Sequence, residues 1–155
     1  MSLFDYVAKK EPDWNFYVIS SGAHFKLIKG KNKKKNIHFM PLVRVEELYQ
    51  LYNESTIQII PQAAGSSAGS LPSKLPNLIF SKTKILAITD SNSDLEVMLN
   101  KYPNSKVINN WEEKLFYESV RVLVKQKTYD SSKETDEICT DYFSIDSLID
   151  KITQK

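Results

Sequence analysis

A chain of 155 residues, with 41% hydrophobic and 26% charged residues, has the composition of a globular domain that is long enough to bury a core. The formal net charge of +2 gives no argument for nucleic acid binding. Cys139 is the only cysteine, which excludes a disulfide framework and a cysteine-based metal cluster. No apolar run approaches the ~20 residues that cross a bilayer, and the first residues do not resemble a signal peptide. We therefore expect a cytoplasmic protein with at most peripheral membrane contact.

Short apolar runs alternate with helical patterns along the whole chain. Strands are predicted over residues 16–19, 37–40, 57–60, 85–88 and 106–108. Helices are predicted over residues 3–10, 23–28, 45–52, from 72 onward, 94–99, 111–127 and 145–152. Because no hairpin turn signature appears, this order predicts an α/β fold, a Rossmann-like parallel sheet with helices on both faces. Ligands bind such sheets at the carboxyl ends of the strands.

The domain organisation follows from the same pattern. Residues 1–128 are predicted to form the domain, residues 129–143 an exposed polar linker, and residues 144–155 a helix that packs back on the domain. Residues 29–36, with the sequence KGKNKKKN, are interpreted as a basic surface loop. A contact with phosphate or with membrane lipid is the alternative for that loop.

One stretch of small residues is the strongest candidate for a binding site. Pro61 ends the third predicted strand, a loop containing Gly65 and Gly69 follows, and a helix is predicted from Pro72. Ser70 and Ser73 are candidate caps, and Lys74 is placed one residue into the helix. Backbone N–H groups, a helix N-terminus and an ammonium group together suit an anion such as phosphate. An ordinary connection between a strand and a helix stays open as the alternative.

Three ordered segments carry a resemblance to a known family. They are YVAKKEPDWNFYVIS at residues 6–20, NIHFMPLVRVEELYQLYNESTIQIIP at residues 36–61 and LPSKLPNLIFSKTKILAITDS at residues 71–91. Together they resemble the carboxyl-terminal half of a family 4-type GT-B glycosyltransferase, in the capsule and exopolysaccharide branch that includes colanic-acid-type transferases. The pieces PSKL and PDWNF are the most specific.

The resemblance implies that the chain binds a nucleotide-diphosphate sugar, with no further cofactor, as part of a retaining glycosyltransferase. Sugar transfer would take place against an amino-terminal acceptor-binding domain, expected in cis or in trans. Lys74 would stabilise the leaving diphosphate. The loop after the second strand would hold the base through its backbone. The implied donor-binding residues are Gly65, Ser66, Ser67, Gly69, Ser70, Ser73, Asn77, Pro41, Leu42 and Val43.

The chain also departs from the family pattern. Gly69 and Asn77 stand where many members carry two glutamates, and Lys82 and Lys84 replace a glycine and a proline. The family's first strand, which lies centrally in its sheet, has no counterpart here. We therefore expect half of a GT-B fold that lacks this strand and is inactive as an isolated chain. The alternatives are a non-catalytic α/β interaction module derived from the family, or an unrelated doubly wound domain that binds another phosphorylated ligand.

Two further side chains are minor candidates for the site. His24 follows a glycine at a strand's carboxyl end, where it would be a catalytic base or a packed residue. Asp90 would lie near the cleft or cap the helix that follows it. No metal site is predicted.

Overall fold

The structure, a computed structural model, describes residues 2–67, 69, 71–129 and 132–144. Within these residues strands and helices alternate, which confirms the predicted α/β fold. The strands are β1 (Phe16–Ile19), β2 (Ile37–Met40), β3 (Gln58–Pro61), β4 (Ile85–Ile88) and β5 (Ser105–Ile108). The helices are α1 (Ser2–Lys10), α2 (Ala23–Lys31), α3 (Val45–Glu54), α4 (Leu75–Phe80), α5 (Asp94–Leu99), α6 (Glu113–Lys125) and α7 (Ser132–Ile138), and a π-helical turn covers Cys139–Phe143.

The strands form two parallel sheets where the sequence predicted one. β1 pairs with β2 in a small sheet, and β3, β4 and β5 form a large sheet in that order. β4 lies at the centre of the large sheet, and all four of its residues are buried. Buried parallel strands are continuous apolar runs because helices cover both of their faces.

Two hydrophobic cores lie on opposite faces of the large sheet. The first, the α4–α5 core, contains Tyr52, Ile60, Leu75, Leu78, Ile79, Ile85, Ala87, Leu95, Met98, Leu99, Tyr102 and Ile138. The second, the α1–α6 core, contains Leu3, Val7, Ala8, Phe16, Ile37, Leu86, Ile88, Ile108, Phe116, Val120 and Leu123. The α1–α6 core takes side chains from both sheets, so it joins them although the described strands of the two sheets are not paired.

The third strand contains the proline that was predicted to end it. The Gln58 N–H donates to the oxygen of Lys84, directly before β4, at 2.8 Å, and the Gln62 N–H donates to the oxygen of Ile88 in β4 at 2.9 Å. In parallel pairing alternate residues point to the same neighbour, so Pro61 faces away from β4. Its missing N–H therefore costs no hydrogen bond between β3 and β4, and the strand includes it.

Five of the predicted helices have other bounds in the structure, and the differences in α2, α4 and α6 bear on predicted features. α2 continues to Lys31, so the first three residues of the predicted basic loop are helical. α4 begins at Leu75, not at Pro72. α6 runs from Glu113 to Lys125, with Glu112 as its N-cap, and the Asn110 side chain accepts a hydrogen bond from the Glu112 N–H group.

The segment predicted as an exposed polar linker is largely helical in its described residues. α7 and the π-helical turn occupy most of this segment, and Ile138 is buried in the α4–α5 core. Asn104 fixes the start of the segment, because its side chain bonds both backbone groups of Tyr129 at 2.8 and 2.9 Å. The helix predicted over residues 145–152 lies outside the described residues. None of the helices in the described part of the chain is both long enough and apolar enough to cross a membrane.

Candidate functional site

The loops after β3 and β4 meet at the carboxyl edge of the large sheet, where the sequence placed its binding site. The backbone N–H of Gly65 donates to both carboxylate oxygens of Asp90, at 3.1 and 2.9 Å. The Ser67 hydroxyl donates to the same carboxylate. These two contacts, that of Ser67 first, hold the pKa of Asp90 below its ordinary value. Asp90 thus anchors the glycine-serine loop, a role that neither interpretation of this residue had included.

The backbone conformation of Gly65 makes the contact with Asp90 possible. Gly65 has a φ of 75°, in the left-handed region that glycine adopts without strain. In this conformation its N–H points at a carboxylate of the chain itself, that of Asp90. Binding of phosphate by the loop stays a prediction.

Lys74 lies at the start of α4 but makes a contact that the sequence did not predict. It is the N-cap residue of α4, and its ammonium Nζ donates to the backbone oxygen of Ile59 at 3.1 Å. Burial lowers the pKa of Lys74 because the charged form loses hydration there. The Ile59 oxygen belongs to the edge of β3 that faces away from β4. The ammonium group is therefore held against the sheet edge.

The other predicted donor-binding residues divide between two places. Ser66, Gly69, Ser73 and Asn77 are exposed around the loop and α4, whereas Ser67 is buried under Asp90. Ser73 does not cap α4, because Lys74 takes the N-cap position and no side-chain cap bond is seen among the described residues. Ser70 lies outside the described residues. The proposed base-binding residues follow β2 in the small sheet, and these are Pro41, Leu42 and Val43.

Sequence reasoning missed a polar network beside the loop. The Thr89 hydroxyl donates to Gln62 Oε1 at 2.6 Å and lies 2.9 Å from the Ser93 hydroxyl. Asn109 Nδ2 donates to the backbone oxygen of Thr89 at 3.3 Å and to Glu96 Oε1 at 3.0 Å. Thr89 and Asn109 each directly follow a strand, and this position was the available signal. The network fixes the carboxyl ends of β4 and β5 together.

His24 lies in a different part of the molecule. It lines an open cavity of about 530 Å³ between α1 and α2, with Asp5, Ile28, Lys31, Asn32, Lys33 and Lys34. That cavity shares no lining residue with the glycine-serine loop, so the structure does not bring His24 together with Lys74. Among the described residues, no group of three or more His, Cys, Asp and Glu side chains is placed to hold a metal ion.

Comparison with known proteins adds no assignment. No protein-family model matches the chain, and no curated protein matches it.

Proposed function

We propose that the chain is the donor-binding part of a retaining glycosyltransferase of polysaccharide biosynthesis, acting in the cytoplasm, and that its own side chains close the diphosphate site in this state. The carrying observation is the Gly65 N–H held on the carboxylate of Asp90. It supports a loop that binds anions at the carboxyl edge of the sheet, which is where the family resemblance puts the donor diphosphate.

The closure is a competition between two anions for one set of donors. A diphosphate carries more charge than a carboxylate and presents more acceptor oxygens, so it makes stronger charge-assisted hydrogen bonds. It must nevertheless displace Asp90 from Gly65 and Ser67. We therefore expect donor binding to be weak in the isolated chain and to tighten when Asp90 is removed.

The proposed chemistry rests on charge neutralisation. Negative charge grows on the diphosphate as the sugar leaves it, and donors placed around the loop stabilise that charge. Lys74 supplies a full positive charge once its ammonium leaves the Ile59 oxygen. The exposed Asn77 amide is available to a ribose hydroxyl, whereas Gly69 offers no carboxylate to the sugar.

Calorimetric titration with uridine and guanosine diphosphates and their sugars tests the proposal. Asp90→Ala should bind at least about tenfold tighter than the wild-type chain, because the internal competitor is gone. Adding Lys74→Ala to Asp90→Ala should remove that gain. Asp94→Ala is the matched control, since it deletes an exposed carboxylate four residues further along the chain, in the first turn of α5. A folded Asp90→Ala chain that binds no nucleotide contradicts the proposal.

A second candidate function is a non-catalytic interaction module derived from the same family. The observation that favours it is that both charged side chains of the candidate site, Asp90 and Lys74, already have partners inside the chain. This candidate predicts that no nucleotide binds to the wild-type chain or to Asp90→Ala, although both are folded. The same titration therefore separates the two functions.

A further inference from the structure

Positive charge is concentrated in one segment of the chain. Residues 23–36, which form α2 and the loop before β2, contain six lysines and no aspartate or glutamate. Because the whole chain has a net charge of only +2, the remaining residues are more acidic than basic. A local excess of positive charge raises the concentration of anions around it.

Three of these lysines line the open cavity of about 530 Å³ between α1 and α2. Lys31 lies at the end of α2, and Lys33 and Lys34 lie on the loop that follows. His24 and Ile28 line the same cavity, because residues spaced four and seven apart share one face of a helix with Lys31. The volume is that of a pocket for a small molecule.

The ammonium groups in the cavity lack carboxylate partners within the described part of the chain. The salt bridges found there all join other side chains. Asp5 is the one acidic residue among the described residues that line the cavity, and a single carboxylate does not neutralise three positive charges. Cations that no carboxylate of the chain neutralises are available to an anion from outside, with which they form charge-assisted hydrogen bonds.

Two asparagines hold the loop that carries Lys33 and Lys34. Asn32 Nδ2 donates to the backbone oxygens of Lys34 and Ile37, both at 3.1 Å, and its Oδ1 accepts from the Lys34 N–H at 3.1 Å. Asn36 Nδ2 donates to three backbone oxygens in α1 and the turn after it, at distances from 3.0 to 3.3 Å. The loop backbone is therefore fixed against α1 before a ligand arrives, which lowers the entropy lost on binding.

We propose that the cavity between α1 and α2 binds a small molecule that carries phosphate groups. A phosphate presents several acceptor oxygens, so it can accept from Lys31 on the helix and from Lys33 and Lys34 on the loop at the same time. Ile28 gives the cavity an apolar wall for the rest of the molecule. The phosphate can belong to a soluble compound or to a lipid headgroup. This site does not rest on the proposed donor function.

Two probes test the site and distinguish these sources. Calorimetric titration with inorganic pyrophosphate at constant ionic strength measures binding of a soluble phosphate compound. Sedimentation with vesicles of phosphatidylcholine and phosphatidic acid, in a four-to-one ratio, measures binding of a lipid headgroup, and vesicles of phosphatidylcholine alone are the control. Pyrophosphate binding without sedimentation assigns a soluble ligand, whereas sedimentation that needs phosphatidic acid assigns the headgroup. Failure of both probes to bind overturns the inference.

A matched pair of double variants separates a built site from diffuse attraction. Lys31→Gln with Lys34→Gln removes two ammonium groups from the cavity and should weaken the probe that binds at least about tenfold. Lys26→Gln with Lys29→Gln removes the same charge from exposed residues of α2 that do not line the cavity, and should weaken it less than about twofold. Circular dichroism checks that both variants fold. Equal losses would show a basic surface without a site and overturn the inference.

Asp5→Asn should have the opposite sign. It removes the negative charge that repels a phosphate inside the cavity, so the probe should bind about threefold tighter. Unchanged or weaker binding by the folded variant would contradict a phosphate at this place.

Amide chemical shifts distinguish this site from the glycine-serine loop. Pyrophosphate should move the amide signals of Asn32 and Lys34 but not that of Gly65, and Lys74→Ala should leave its affinity unchanged. A shift at Gly65 alone, with binding lost in Lys74→Ala, would support the donor site and overturn the cavity site. Pyrophosphate binding in the cavity, together with no nucleotide binding to Asp90→Ala, would overturn the donor function and leave the cavity site supported.

Discussion

The two sheets differ in how completely helices cover them. The large sheet lies between the α4–α5 core and the α1–α6 core, and its central strand is fully buried. Among the described residues, the small sheet contributes buried side chains only to the α1–α6 core. All nine residues of α2 are described, yet none is buried, and the Tyr17 side chain on β1 is 56% exposed. Since apolar burial is the main favourable term in folding, the large sheet carries most of the stability.

The proposed donor site lies on the better covered sheet. Hydrogen bonds around Thr89 and the Asp90 anchor connect the loops at the carboxyl edge of the large sheet. The proposed base-binding residues instead follow β2 in the small sheet. The predictions below test the difference between the two sheets.

A core substitution in the large sheet should have the largest effect. Leu86 is fully buried at the centre of β4, so Leu86→Ala should lower the free energy of unfolding by about 2–5 kcal/mol. Leu27 on α2 is 54% exposed, and Leu27→Ala should change the free energy of unfolding by less than about 0.5 kcal/mol. Urea denaturation followed by circular dichroism measures both. Equal losses from the two substitutions would contradict the contrast between the sheets.

A buried lysine should have the next largest effect. The Lys84 ammonium, on a residue that is 8% exposed, donates to the backbone oxygens of Leu123 and Gln126 at the end of α6. Lys84→Met keeps the apolar stem and leaves these oxygens unpaired, which should cost about 1–3 kcal/mol. The exposed Lys125→Met on the same helix is the control and should cost almost nothing. If Lys84→Met lowers the free energy of unfolding no more than the control does, the hydrogen bonds from Lys84 to the end of α6 do not stabilise the fold.

The contacts of Asp90 with the glycine-serine loop should contribute least to stability, and their contribution should depend on pH. The pKa of Asp90 is lowered in the folded chain, so the contribution of its anchor is present above the ordinary aspartate value of about 3.9 and is lost as pH falls through the lower folded value. The amide chemical shift of Gly65 should therefore titrate with a midpoint below about 3.9. Asp90→Asn should abolish that titration. A midpoint at or above 3.9 would mean that the anchor does not form in solution.

Sequence periodicity predicted the elements well where burial decides the structure. β1, β2, β4 and α5 have the predicted bounds, because each is a short apolar or capped run. Ser93 caps α5, because its hydroxyl accepts a hydrogen bond from the Glu96 N–H.

Tertiary contacts decided the features that periodicity missed. Ile138 lies in a polar stretch, and only its place in the α4–α5 core explains why α7 forms there. The partners of Asp90 and Lys74 also lie far along the chain, 25 residues away for Gly65 and 15 for Ile59. A local pattern shows that Lys74 is near a loop, but it does not show that a sheet edge takes its ammonium group.

Amide hydrogen exchange on the isolated chain tests the central claim most directly, because it measures which backbone groups are paired. The account predicts slow exchange at Leu86 and Ile88, whose N–H groups bond within the large sheet. It predicts fast exchange at Tyr17 and Ile19, whose N–H groups face away from β2, and at Ile59, whose N–H faces away from β4. Protection of these three amides as strong as that of β4, together with proton contacts between the backbones of β1 and β3, would show one continuous sheet and contradict the account.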